Sequence, residues 1–285
     1  RLYKLIGTLG GGNHFIEVDR DEAGLYYLVI HTGSRNLGKQ VADIYQKLAI
    51  KCQLGWAELM EVKEQMIAEY KKEYKAARRK SELHEAIRQL HCSFKTKKPA
   101  VPQELSYLEG RYRDDYLNDM RLCQRWAEIN RQMIAELITD WLVAQGFADI
   151  STCEEKPFES VHNYIGLDNI IRKGAIAAYE GQKCIIPLNM RDGSLICIGR
   201  GNTDWNCSAP HGAGRIMSRK QAFNSISLDD YAKSMQGIYT ESVNEETKDE
   251  SPMAYKPKDE IIGNIKDTVN IVNVIKPVYN FKAAE

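Results

Sequence analysis

Four histidines of this 285-residue chain lie in short stretches of Gly, Asn, Ser and Thr: Asn13-His14, His31-Thr32-Gly33-Ser34-Arg35, His162-Asn163 and Pro210-His211-Gly212-Ala213-Gly214-Arg215. The last stretch is the richest in chemistry. Pro210 holds its own φ near −65°. Gly212 and Gly214 can take positive φ and, lacking Cβ atoms, let backbone amides approach an anion. Arg215 adds a planar donor fork that matches phosphate. One reading is an imidazole pointed at a phosphate cradle; the other is a glycine turn around a satisfied histidine. The segment alone leaves both open. An imidazole near neutral pH can offer a nitrogen lone pair to an electrophile or to a metal such as Mn, Fe or Zn. No H-x-H or H-x-x-x-H pair occurs, so a metal site has to be assembled from separate segments. His84 and His91 fall in a charged stretch and read as surface residues.

The elements that must position these groups are legible as periodicities. Leu5–Gly12 is a glycine-rich lead-in to His14–Val18, which alternates as a strand, with Glu17 on the face of Phe15. Leu25–Ile30 is a continuous apolar run fit for a buried strand, and it delivers His31 at its end. From Lys39 the pattern turns helical, with Val41, Ile44, Tyr45 and Leu48 at i, i+3, i+4, i+7. Residues 57–92 are dense in mixed charge and read as one or two solvated helices. A basic linker, Lys95–Pro102, precedes a long helix over Asp114–Gln145. In it Trp126, Ile129, Met133, Leu137 and Trp141 form the expected core stripe, and Gly146 is the stop. Ser160–Tyr164, Ile170–Ala178, Cys184–Leu188, Leu195–Ile198 and Thr268–Ile275 read as strands, with Pro277–Lys282 closing the chain. Strands flanking a helical middle predict an α+β fold rather than a βαβ series. The expected organisation is a single catalytic domain over 1–285, strand-rich at 1–38 and 147–285 and helical at 39–146.

Bulk composition bounds the function. Lys plus Arg equals Asp plus Glu at 39 each, which argues against charge-driven binding to nucleic acid in general while allowing a local patch for nucleic-acid ends. No apolar run approaches the roughly 18–20 residues that span a bilayer, and no signal-peptide pattern is seen. Seven widely spaced cysteines without a C-x-x-C pair point to free thiols in a reducing compartment, hence to the cytoplasm.

Taken together, the motifs resemble the ordered signature of the RtcB family of RNA-splicing ligases. The resemblance rests on Leu9-Gly10-Gly11-Gly12-Asn13-His14-Phe15-Ile16-Glu17, His31-Thr32-Gly33-Ser34-Arg35, His162-Asn163, and His211-Gly212-Ala213-Gly214-Arg215 with Met217-Ser218-Arg219. It continues through Met253-Ala254-Tyr255-Lys256 to Lys282 and covers essentially the whole chain. It implies an RtcB-like fold with an inserted long-helix region, and a ligase dependent on GTP and two Mn²⁺ ions. Such an enzyme joins RNA 2′,3′-cyclic phosphate or 3′-phosphate ends to 5′-hydroxyl ends. By the same resemblance His211 is the nucleophile that carries GMP, and His14, His31 and His162 are metal ligands. The GTP site would be lined by Asn13, His14, Phe15, Ile16, Glu17, His162, Asn163, Pro187, Leu188, Asn189, Met190 and Ser194. His211, Gly212, Ala213, Gly214, Tyr255 and Lys282 would complete it, with Arg35 reaching phosphate. An archease-type activating protein is the implied partner, and no membrane is.

Three departures accompany the resemblance. The family's remaining metal ligands, a D-x-x-C aspartate and cysteine, belong upstream of the GNHF motif, so the chain is expected to correspond to the later two-thirds of such an enzyme. The family's Gly-Ser-Met-Gly nucleotide loop reads Leu188-Asn189-Met190-Arg191, and Pro257 follows Lys256 where the family has aspartate. Two other readings stay beside the ligase. One is a relative that binds nucleotide or RNA ends, or hydrolyses phosphate esters, without joining. The other is an interaction protein working through the charged helices of residues 57–92.

Overall fold

A computed structural model of the chain describes residues 2–77, 79–93, 98–99, 101–149 and 156–283. Arg78, half of the Lys95–Pro102 linker and Cys153 lie outside the described residues. The chain divides into two compact units: one is 1–35 with 124–285, the other 36–123. The helical insertion is therefore shorter than the 39–146 expected, because the long helix is shared between the units.

In the first unit, alternation makes β1 (Phe15–Arg20), whose inward residues are Phe15, Glu17 and Asp19. Two carboxylates thus point inward while Ile16 and Val18 stay half-buried. β2 (Tyr26–His31) pairs antiparallel with β1, placing Phe15 opposite His31. The apolar run of Leu25–Ile30 is half-buried rather than buried, with Tyr26 64% exposed. Among the described residues β2 lies at one edge of its sheet, with a strand partner on one side only. β5 (Lys183–Asn189) and β6 (Gly193–Gly199) form an antiparallel hairpin. The last strand, β9 (Val269–Lys282), runs through Pro277 without a break, where two pieces were expected. Pro277 has no N–H to donate, and the β1–β9 ladder shifts register between Val18 and Asp19, where Asp19 faces Pro277. The N-terminal half of β9 pairs with β6 and the C-terminal half with β1, so one strand fastens β2–β1 to β6–β5. The short β8 (Tyr239–Thr240) adds in parallel at Tyr279 and Asn280.

A second, three-stranded sheet has β4 (Ile171–Ala177) at its centre, between β3 (His162–Ile165) and β7 (Ser208–Pro210). The main core, with Ile176, Ile186 and Leu195 at 0–1% exposure, draws on both sheets. Each such side chain contributes about 1.5–3 kcal/mol by leaving water. A second cluster, around Met190, Ala222, Tyr231 and Met235, packs the short helices that follow the His211 segment.

Among the described residues the second unit contains three α-helices, Leu37–Gln53 (α1), Trp56–Ala76 (α2) and Lys80–Ser93 (α3), and the part of Gly110–Ala144 (α4) that ends at Cys123. Tyr45 donates to Asp119 at 2.7 Å within this unit. Ile44 is 62% exposed, so the expected apolar face of α1 is only partly covered. In the remainder of α4 the buried stripe is Ala127, Asn130 and Ile134, whereas Leu137 and Trp141 are 56% and 57% exposed. The core stripe expected from Trp126 to Trp141 is therefore rotated. Asn130 sets the rotation: its carboxamide accepts from the amides of Gly7 and Thr8 and donates to the Thr8 carbonyl. A buried amide that meets three backbone groups outcompetes an exposed tryptophan for the inward face. His84 and His91 are exposed, as expected. Among the described residues no helix is long and apolar enough to cross a membrane. Cys52, Cys123, Cys184, Cys197 and Cys207 are free thiols.

Candidate active site

The four motif histidines come from four separate strand ends and form one continuous row. Ring centroids lie 6.0 Å apart for His14–His31, 5.5 Å for His31–His162 and 4.7 Å for His162–His211. Local structure explains each placement. His14 immediately precedes β1 and His31 ends β2, and the Phe15–His31 pairing carries them together. His162 starts β3, opposite Ile176 of β4. His211 follows β7 on the other side of β4, and its amide donates to the Gly174 carbonyl at 3.3 Å. Gly174, at φ +68°, underlies the contact: a Cβ there would stand 3.7 Å from the His211 ring.

Burial lowers the basicity of three of these rings. His31 lies well below the usual histidine range, through burial first and then through the fields of His162, Lys282, His14 and His211. His162 is lowered by burial and then by His211. His14 is lowered by burial against an opposing contact with the Leu9 carbonyl. Neutral imidazoles are the form that ligates metals. The Nδ1 atoms of His14 and His162 are buried without a hydrogen-bond partner, which a metal ion would relieve. Among the described residues no three His, Cys, Asp or Glu side chains form a group that could hold a metal by themselves. The chemistry of the donor set fits a metal to which further ligands are added.

The Pro210–Arg215 segment is a cradle in part. Only Gly214 takes positive φ, at +73°; Gly212 is needed for a different reason, since a Cβ there would meet the Pro187 carbonyl at 3.0 Å. The Ala213 amide donates to that same carbonyl at 3.1 Å. Arg215, expected to reach phosphate, instead turns into the protein: it donates to Glu250, to the carbonyls of Met217 and Asp249, and to the Tyr255 hydroxyl. Arg35 lies across Gly10, where a Cβ would collide with its Nη1 at 1.7 Å, and donates from Nε to Thr8 Oγ1.

Lys282 joins the two halves of the predicted nucleotide site. Its Nζ is 3.0 Å from Glu250, 3.4 Å from the Asn13 carbonyl and 4.9 Å from the centre of the Phe15 ring. Glu250 also accepts from Tyr255 at 2.6 Å and from Arg215 and Arg219. Burial alone would raise the Glu250 carboxyl, but Lys282 and Tyr255 outweigh it and hold it low. On the same sheet face, Asn280 donates to Glu17, whose carboxyl is raised well above the usual range by burial and then by Asp19. Asp19 is fully buried, neither of its oxygens has a partner, and burial pushes it up to about 7. Ser194 Oγ and Asn280 Oδ1 are likewise buried without partners.

Not every expected contact faces this region. Leu188 and Met190 are buried in the two cores. Asn189, Arg191 and Asp192 satisfy one another at the β5–β6 turn, with Arg191 Nε 2.9 Å from Asp192 and Asn189 Nδ2 2.8 Å from it. Ile16 is half-buried on the opposite face of β1 from Phe15 and Glu17. Asn163, at φ +61°, accepts from the Gly174 amide. Sequence reasoning missed Glu250, Asp19 and Gly174. The acidic Asp249-Glu250 pair before the Met253–Lys256 motif and the inward parity of Asp19 with Glu17 were the available signals.

Comparison with known proteins agrees with the ordered motifs. The profile of the family described as tRNA-splicing ligase RtcB matches residues 1–283. The RNA-splicing ligase RtcB of Escherichia coli K12 is 30% identical over 288 residues, covering 97% of this chain and 60% of that protein. The tRNA-splicing ligase RtcB of Aeropyrum pernix is 28% identical over 308 residues, covering 90% of this chain and 54% of its own length. The chain thus spans little more than half the length of these curated relatives. With its four histidine motifs in order and residues 1–283 matched by the family profile, the chain belongs to the tRNA-splicing ligase RtcB family.

Proposed function

We propose that this chain carries the nucleotide-transfer centre of a GTP- and Mn²⁺-dependent RNA ligase, with His211 as the residue that accepts GMP. The observation that supports it is the histidine row: imidazoles from four distant motifs meet in one line that ends at His211. An imidazole nitrogen of His211 attacks the α-phosphorus of GTP; the N–P bond forms as the bond to pyrophosphate breaks. GMP then passes to an RNA 3′-phosphate, and a 5′-hydroxyl displaces GMP to form the phosphodiester. A 2′,3′-cyclic end is first opened by water.

The chain's own groups suit these steps. The amides of His211 and Ala213 are used within the fold, which leaves those of Gly212 and Gly214 for the phosphate. Phe15 and Tyr255, whose rings carry Lys282 and Arg215, would border the base, and Glu17 and Ser194 would add buried polar atoms near its edge. Lys282 links the two sides. His14, His31 and His162 would hold metal, which when bound supplies charge neutralisation at phosphate. The RNA ends, GTP and an archease-type activator are the partners this reading requires.

Incubation of the purified protein with Mn²⁺ and α-labelled GTP tests it. Acid-labile, alkali-stable label on the wild type and none on His211→Ala is the expected result; label that persists on His211→Ala removes the assignment. A second reading, end binding or phosphate-ester hydrolysis without joining, is favoured by the β5–β6 turn, where Asn189 and Arg191 are engaged with Asp192. Cyclic-phosphate RNA that is opened but never joined to a 5′-hydroxyl strand would select it.

A further inference from the structure

We infer that Arg172 is a positioning residue for the nucleophile, the centre of a clamp that fixes the strand bearing His211 against the strand bearing His162. The inference deepens the proposed role of His211 and rests on it for its catalytic arm only. Arg172 is 1% exposed and lies on β4, the strand between the two histidine-bearing strands. Each nitrogen of its guanidinium has a protein partner. Nη1 and Nη2 donate to the two oxygens of Asp168 at 3.2 and 2.8 Å. Nε donates to Ser208 Oγ at 3.0 Å, and Nη2 also reaches the Asn206 carbonyl at 3.3 Å. The Tyr164 and Tyr179 rings lie 5.8 and 5.4 Å from its central carbon. Asp168 is fixed in turn by the Tyr179 hydroxyl at 2.6 Å and the Ile170 amide at 3.1 Å. Gly166 makes room, since a Cβ there would strike Asp168 at 2.2 Å and Arg172 at 2.7 Å.

Buried at 1% exposure and bonded at each nitrogen, the guanidinium is out of reach of a phosphate, and the side chain acts through what it holds. Tyr164 belongs to β3, two residues after His162, and faces Arg172 in the ladder. Ser208 opens β7, three residues before His211, and its strand meets β4 through only three residue pairs. Asn206 and Cys207 approach that strand at φ +50° and +46°, a conformation that non-glycine residues hold only under local constraint. So short a strand entered from so unfavourable a turn needs a fastening beyond its ladder, and the Arg172–Ser208 bond supplies it. The 4.7 Å approach of His162 and His211 follows from that fastening.

The test uses two variants and two readouts. Arg172→Lys keeps the charge but loses the fork. Ser208→Ala removes the link to β7, together with the hydroxyl's own bond to the Asn206 carbonyl at 2.8 Å. The first readout is the nuclear Overhauser contact between the His162 and His211 rings in ¹³C-histidine-labelled protein without nucleotide. The second is the rate of His211 guanylylation at saturating GTP, beside the GTP dissociation constant. Arg172→Lys is expected to lose the ring contact and to slow labelling by about 100-fold with GTP affinity nearly unchanged, the size of effect that a displacement on the order of 1 Å produces. Ser208→Ala should weaken the contact and slow labelling by about 10-fold. If Arg172→Lys does not fold, Ser208→Ala decides. An intact ring contact with an unchanged rate in a folded variant overturns the inference. Should the wild type itself take no label, the nucleotide-transfer proposal fails, and the ring contact alone decides whether Arg172 positions His211.

Discussion

Two polar regions of the first unit are built on opposite principles. Around β4, each guanidinium nitrogen of the fully buried Arg172 has a partner among Asp168, Ser208, Asn206 and Tyr179. On the inward face of β1 and β9, by contrast, Asp19 and one end of the Asn280 carboxamide are buried without partners, as are His14 Nδ1 just before β1 and Ser194 Oγ on β6. An orphaned buried polar atom costs on the order of 1–3 kcal/mol. A satisfied network therefore reads as scaffold, and an unsatisfied one as the place where something else binds. Glu250 lies between the two: it is buried and fully engaged, yet its partners Lys282 and Tyr255 belong to the proposed nucleotide site.

Three predictions bear on that contrast, the largest first. Glu250→Ala leaves Lys282, Arg215 and Arg219 facing one another without their shared carboxylate, and breaking a buried ion pair from one side costs about 3–5 kcal/mol. Urea denaturation should show a loss of that size; a loss below about 1 kcal/mol would mean the network is no scaffold.

Asp19 should show the opposite behaviour. Its carboxyl is held up to about 7 in the fold against an ordinary 3.8. The folded state thus keeps a proton that the unfolded chain releases, so this group's contribution is whole below the ordinary value and lost as pH rises through the folded one. Between pH 5 and pH 8 the wild type should lose roughly 2–3 kcal/mol through this group, and Asp19→Asn should lose none of it. Parallel pH slopes for the two proteins would remove the orphaned-acid picture.

The smallest effect on stability is expected at Ser194. Its buried hydroxyl makes no bond, so Ser194→Ala should stabilise the fold by about 1 kcal/mol, the lower end of what an orphaned polar atom costs. If the orphaned hydroxyl awaits a nucleotide, the same change should weaken GTP binding by about tenfold, the value of one hydrogen bond. Calorimetric titration measures it, and equal affinity would place the ligand elsewhere.

Much of this fold was legible because period and parity are local properties. The strand alternation at His14–Val18, the strands around Ile176, Ile186 and Leu195, and the 3.6-residue period of α4 all appear in the structure. Local properties fail where a choice depends on a partner far along the chain. The period of α4 is plain, yet its inward face was misread, because Asn130 has an appointment with Gly7 and Thr8 that no window around residue 130 contains. Arg215 looked like a phosphate fork beside Gly214 until Glu250, 35 residues on, claimed it. Leu188 and Met190 looked like a nucleotide loop until two cores took them in.

What the sequence by itself determined is the inventory: four histidine motifs in order, an imidazole next to glycines that permit close approach, and the family to which that order belongs. The tertiary structure alone decided that the four rings form a row, that burial keeps three of them neutral, and that Arg172, which no motif marked, ties the strands of His162 and His211 together. The physical reason is range. A residue's type and spacing act through the neighbouring turns of chain, whereas burial, charge and a 4.7 Å ring contact depend on which distant strands pair.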